Sequence, residues 1–298
     1  MSGDVLSYQP LMQRYLQQAP ASLSSLSFVC VCVWQDFFQF QFEEMDGNLC
    51  VFATDAAGTF LYVPPLGKRI SQLAIDQCFA RMQHMNCGSA VTRIENVSEE
   101  QLVHFPSAQY KVYQKGYEYL YYRKDLLEFA GDAYKSKRNA YNHFIKSFSA
   151  QYRPYEPSMF DECCQLYETW AQDKRLTTCA DIDLMMLEDN KVVHRRALSM
   201  FAPLGLVGRV VEVQGKIVAY TFGYFVNSEI FCDFLEVADK KYRGLATYVF
   251  KQFCADPVLQ AVKFINVMDD FAMETVNWTK MSFRPALLLP MYSVGLCW

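Results

Sequence analysis

Two short stretches of this 298-residue chain gather residue types suited to holding an anion. The first is Lys241-Tyr242-Arg243-Gly244-Leu245-Ala246, between an aromatic-rich, strand-like run and a helical pattern carrying Val249, Phe250 and Phe253. A glycine at a strand-to-helix turn lets backbone amides point at an anion, the helix N-terminus adds a partial positive charge, and Arg243 adds a full one. The same residues also describe a capped helix after a turn glycine. The second stretch runs from Tyr134 through Lys135, Lys137, Arg138 and Asn139 to Asn142 and Lys146. On a helix, Lys135, Arg138, Asn142 and Lys146 share a face by their steps of three and four, beside an apolar stripe of Tyr134, Tyr141, Ile145 and Phe148. Asp132 is placed to cap this helix. Cations in its first turns oppose the helix dipole, which an anion held among Lys135, Lys137 and Arg138 would relieve. A solvated basic face is the alternative.

Acidic and polar candidates follow. Asp233 and Glu236 lie on the strand before the Arg243 turn, where their odd spacing sends them to opposite faces if the strand is regular. One of them, preferably Glu236, would then face a cleft and bind an amine or act as base, and a surface role is the alternative. Asn266 ends a buried strand. Asp269 and Asp270 could bind an α-amino group, or Asp270 could cap a helix starting near Phe271. Lys280 could meet a phosphate or close that helix at its C-terminus. No GxSxG segment and no evident cysteine–histidine arrangement signals a covalent nucleophile. The eleven cysteines show no CxxC spacing and the four histidines are scattered, so no metal site is expected and the thiols read as buried and free in a reducing compartment.

The elements that must position these residues alternate along the chain. Over half the residues are apolar, enough for two cores of roughly 150 residues each. The net charge of −4 excludes a global basic field for nucleic acid. No apolar run reaches the roughly 18 residues of a membrane helix, and no basic leader precedes an apolar core, so a cytoplasmic protein is expected. A helix over 4–18 is ended by Ala19–Ser27 with Pro20. Phe28–Trp34 reads as a β-rich run, Phe38–Phe42 as a half-buried strand, and Gly47-Asn48 as a turn before the strand Leu49–Thr54. Helices are expected over 70–85, 123–148, 158–173, 181–202, 245–255 and 271–280. Strands are expected over 117–122, 206–213, 216–225, 229–237, 262–267 and 287–292. Gln214-Gly215 and Asn227-Ser228 supply turns. Two similar α/β halves, residues 1–115 and 116–298, suggest a structural duplication.

Several segments resemble known families. The turn at Lys241–Ala246 is similar to the Q/R-x-x-G-x-G/A signature of Gcn5-related N-acetyltransferases, with lysine at the first position. Tyr117–Phe148 resembles the D-L, G, K-R-N-x-x-N-x-F stretch of the phosphatidylglycerol lysyltransferase C-terminal-like family. Leu204–Phe225 resembles that family's L-G-L-x-G…G-K-I-V-A-F-T-x-G strands, which makes Tyr220 a substrate-contact candidate. Phe264–Pro285, with Asn266, Asp269, Asp270, Lys280 and Phe283, resembles its ending. The resemblance covers residues 20–295 in order. It implies an α/β (α+β) fold of tandem acyl-CoA N-acyltransferase-like domains, two mixed, largely antiparallel sheets flanked by helices. It also implies aminoacyl transfer from aminoacyl-tRNA to an amine or hydroxyl on a lipid head group, peptide or small molecule, with no permanently bound cofactor. In that reading Glu236, Asp233 and Asn266 are catalytic. Lys135, Lys137, Arg138, Asn139, Asn142, Arg243, Gly244 and Ala246 hold the donor and its phosphates, and Tyr220, Asp269, Asp270 and Lys280 contact substrate. An acyl-coenzyme A donor, or a non-catalytic module on the same fold, are the alternatives.

Overall fold

The computed structural model describes residues 4–19, 22–87, 91–176 and 181–297. Pro20, expected to end the first helix, lies outside them. The chain forms two compact units.

The first unit comprises residues 1–119, 268–274 and 288–298. Its elements are α1 (Gln9–Leu16), α2 (Phe28–Trp34), β1 (Gln39–Met45), β2 (Asn48–Thr54), β3 (Thr59–Leu61), α3 (Gln72–Asn86), β4 (Arg93–Ser98) and the earlier part of β5 (Tyr110–Tyr122). Phe28–Trp34 is a helix, not the expected β-rich run. Ser27 caps it by accepting the Val29 amide, and Phe28 through Val33 are all buried, so no exposed face gave the run a helical period. The β1–β2 hairpin closes at Met45 and Asn48, so its turn is Asp46-Gly47, one residue earlier than expected. Both turn residues have positive φ, as a two-residue hairpin turn requires. The core of this unit packs α3, through Ile75, Phe79 and Met82, onto Phe52, Leu61, Ile94 and Val97.

The second unit comprises residues 120–267 and 275–287. It holds the end of β5, then α4 (Arg123–Glu128), α5 (Lys135–Ser147), β6 (Ala150–Pro154), α6 (Phe160–Arg175), α7 (Asp181–Ser199), β7 (Val207–Val213), β8 (Lys216–Phe225), β9 (Ile230–Ala238), α8 (Leu245–Ala255), β10 (Phe264–Asn266) and α9 (Glu274–Met281). The last strand, β11 (Leu287–Leu296), returns to the first unit and pairs antiparallel with β4. The strands of the second unit run in the order β5-β10-β9-β8-β7-β6, antiparallel except for β9 with β10.

Side-chain alternation divides this sheet between two helical layers. Val211, Val213 and Ala219 meet α5 and α8 through Phe144, Leu245 and Val249. Tyr220 and Phe222 face the other way: Tyr220 shares a 2.8 Å hydrogen bond with His194 of α7, and Phe222 packs edge-on against Tyr155. Asp132 does not cap α5, because it opens a 3-10 turn of its own and Tyr134 precedes the helix without a side-chain cap. The helix expected from Phe271 starts at Glu274, since Phe271 and Ala272 have positive φ.

A buried ion pair ties β7 to the end of α8. Arg209 donates to Asp256 at 2.6 and 3.1 Å, and Asp256, 3 % exposed, also accepts from Tyr152 and the Val258 amide. Arg209→Ala would strand that carboxylate, and urea denaturation is expected to show a loss of about 3 kcal/mol. Among the described residues no helix is long and apolar enough to cross a membrane.

Candidate functional site

Two acids and two lysines meet in one cavity of about 350 Å³ that lies wholly within the second unit. Asp233 and Glu236 come to the same side of β9 because the strand is bulged. Thr221 pairs with Glu236 and Phe222 with Leu235, but Gly223 pairs with Asp233, so Phe234 is an extra residue. A bulge resets the alternation of faces. The expectation that the two acids point to opposite faces therefore fails, and both line the cavity. Gly223 permits the close strand approach at this point: a Cβ there would lie 2.3 Å from the Cys232 carbonyl oxygen.

The exposed surface of the cavity is mainly apolar. Tyr121, Phe250 and Phe283 pack edge to face, with centroids 4.9–6.5 Å apart, and Val267 adds an aliphatic patch. Tyr121 donates its hydroxyl to the Lys280 carbonyl at 2.9 Å, which fixes α9 to the end of β5. Lys137 of α5 lies 3.6 Å over the Phe283 ring. Lys280 donates to the Val267 carbonyl at 2.6 Å. Ala246 and Thr247, in the first turn of α8, complete the mouth, and no side chain caps that helix.

These surroundings set the protonation states. Burial raises Asp233 to about 7, against a 2.9 Å hydrogen bond from Thr221 and the charge of Lys280, which both favour the anion. Burial and the neighbouring Asp233 charge hold Glu236 well above the usual carboxylate range. The pair thus keeps between one and two protons near neutrality, since burial and mutual repulsion both disfavour a second charge. Burial lowers Lys137 to about 8. Its ammonium is expected to lose its proton about two units before exposed lysines do, measurable as its rate of trace acetylation against pH.

The structure brings together Asp233, Glu236, Lys137, Ala246 and Lys280 of the residues singled out from sequence. The others sit elsewhere. Arg138 donates to the carbonyls of Phe129 and Gly131, so its guanidinium ties down the end of α4. Lys135, Asn139, Asn142 and Arg243 are exposed and do not line the cavity. Gly244 has φ +90°, and a Cβ on it would meet the Ala140 carbonyl oxygen at 2.2 Å, so this glycine lets α8 close onto α5. Tyr220 is on the opposite face of the sheet from the cavity. Asn266 is fully buried, and its neighbour Val267 reaches the cavity instead. Asp269 and Asp270 belong to the first unit, where Asp270 accepts from Tyr119 at 2.5 Å and from the Ala272 amide at 3.0 Å. That bond shapes a turn, not a helix cap.

Sequence reasoning missed Thr221, Tyr121, Thr247, Phe250 and Thr279. Thr221 carried a signal: it is the polar residue inside the apolar run Ile217–Phe225, and a hydroxyl fully buried in such a strand needs a partner.

The sequence profile of the phosphatidylglycerol lysyltransferase C-terminal family matches residues 16–294. The chain belongs to that family. A conserved protein of unknown function from Bacteroides thetaiotaomicron has a similar structure, with a TM-score of 0.85 and 23% identity over 100% of this chain and 99% of that one. The structure of L-PGS from Bacillus licheniformis is similar at a TM-score of 0.67 and 14% identity, over 96% and 90% of the two chains. An uncharacterized protein of Mycoplasmoides gallisepticum is 21% identical over 187 residues, which are 61% of this chain and 57% of that protein's length. Family and fold are those of acyltransferases, and the α/β architecture agrees with the resemblance drawn from the sequence.

Proposed function

We propose that this protein transfers an aminoacyl group from a charged tRNA to an amine or hydroxyl acceptor in the cytoplasm. The observation that carries the reading is the Asp233–Glu236 pair at one apolar cavity, beside the uncapped first turn of α8. Aminoacyl transfer needs no covalent enzyme intermediate. It needs an acceptor stripped of a proton, a positioned ester and donors for the developing oxyanion. A carboxylate that titrates near pH 7 is matched to the first of these needs. Asp233 takes the proton as the acceptor nitrogen or oxygen attacks the ester carbonyl. As the tetrahedral species collapses and the ribose oxygen leaves, the same group returns the proton to it. Glu236, held protonated, donates a hydrogen bond to the ester or the acceptor. The amides of Ala246 and Thr247 and the ammonium of Lys137, on the same cavity wall, would stabilise negative charge on the donor.

Thermal unfolding with charged tRNA and, separately, with acetyl-coenzyme A tests the reading. Stabilisation by charged tRNA that weakens with salt is expected. Stabilisation by the thioester and none by charged tRNA would replace the aminoacyl donor with an acyl-coenzyme A donor, and a response to neither would leave a binding module.

A further inference from the structure

The cavity holds no excess of negative charge before any substrate enters. Its walls carry two carboxyl groups, Asp233 and Glu236, and two ammonium groups, Lys137 and Lys280. An aminoacyl donor brings an α-ammonium of its own, which is the natural partner for whatever negative charge the acids present. We propose that the cavity selects aminoacyl groups with uncharged, apolar side chains and refuses a lysyl group. This rests on the aminoacyl reading above and adds the class of group transferred.

Three observations carry it. First, no surplus anion remains for a second ammonium. With Glu236 protonated by burial and by its neighbour, the pair offers at most one negative charge, and Lys280 on the same wall already competes with the donor's α-ammonium for it. Second, of the aromatic faces on the wall that could receive a lysyl ammonium, that of Phe283 is already taken by Lys137 at 3.6 Å, whose like charge opposes a further ammonium beside it. Third, the remaining wall of Tyr121, Phe250 and Val267 offers apolar surface, against which an aliphatic or aromatic side chain is favourable and a charged one loses its hydration without compensation.

Isothermal titration at pH 7 with L-leucinamide, L-phenylalaninamide and L-lysinamide tests the inference, since each amide carries the α-ammonium and carbonyl without the tRNA. Lysinamide is expected to bind about tenfold or more weakly than the two apolar amides. Equal or tighter binding of lysinamide overturns the inference while leaving the aminoacyl reading in place. Binding of none of the three counts against the aminoacyl reading itself, and the inference falls with it. A second protein, Thr279→Glu, adds a carboxylate at an exposed α9 position on the cavity wall, where the native hydroxyl bonds only within its own helix. In that variant the disadvantage of lysinamide is expected to shrink to about threefold or less. A ratio unchanged from wild type, in a variant whose circular dichroism and melting match wild type, would show that charge balance is not the discriminator and would overturn the proposal.

Discussion

Asp233→Asn is expected to abolish transfer while making the protein more stable at neutral pH. Removing a positioned general base costs on the order of 10²–10³-fold in rate. The stability change has the opposite sign because the fold disfavours this carboxylate's ionised form. Its folded pKa, about 7, lies above its unfolded value. The folded state therefore carries no burden from this group below about pH 4. The burden grows as pH rises from there towards 7, where the unfolded chain ionises and the folded one does not, and is complete above it. An amide carries no such burden. Melting curves of wild type and variant should coincide near pH 4 and separate by roughly 8 °C at pH 8, on the order of 4 kcal/mol. Glu236→Gln should behave alike, since the same burial and the charge of Asp233 push its carboxyl up. Activity lost together with stability would instead mark these acids as structural.

Gly244→Ala is expected to be the most damaging single methyl in the second unit. The substitution meets two obstacles at once. The backbone at Gly244 has φ +90°, which residues with a Cβ rarely adopt, and the added carbon would sit 2.2 Å from the carbonyl oxygen of Ala140 and 3.2 Å from the Cβ of Phe144. Backbone cannot move aside as a flexible side chain can, so α8 must shift away from α5. That shift breaks the packing of Phe144 with Leu245, Tyr248 and Val249. A loss of about 3 kcal/mol or more is expected by urea denaturation. Gly131→Ala supplies the control: it too has positive φ, but no atom lies within 4 Å of its added carbon, so only backbone strain remains and a loss of about 1–2 kcal/mol is expected.

Why some features were legible and others were not follows from the same physics. The hairpin at Gln214-Gly215 is announced by its turn residues, both with positive φ, between runs of alternating burial, and the strands on either side fall where the sequence puts them. The helix Leu245–Ala255 is bounded by the glycine before it and carries an apolar stripe, so its start and its extent of about three turns are legible. Phe28–Trp34 defeats the same reasoning because a helix buried on all sides and built from Val, Cys and Phe has no polar face to betray its period. At the site, residue type and place pointed to the acids Asp233 and Glu236 on the strand before the Arg243 turn, to Lys137 as a cation opposing a helix dipole, and to Lys280 near a helix end. What the sequence could not show is the insertion at Phe234. A bulge is a relation between two strands, and nothing in the local run Ile230–Ala238 signals that Gly223 lies opposite Asp233. The fate of Arg138 was hidden for a similar reason: the carbonyls of Phe129 and Gly131 become its partners only once α4 has ended in a left-handed residue at Phe129.

The most direct measurement is a carboxyl carbon NMR titration of the protein labelled at its aspartate and glutamate side chains, with Asp233→Asn and Glu236→Gln used to assign the two signals. The account predicts that one of the pair changes protonation near pH 7 and that the other stays protonated above the range of ordinary glutamates. If both signals complete their titration below pH 5, the acids are ordinary solvated carboxylates, and the cavity they line is not where a proton is taken from an acceptor.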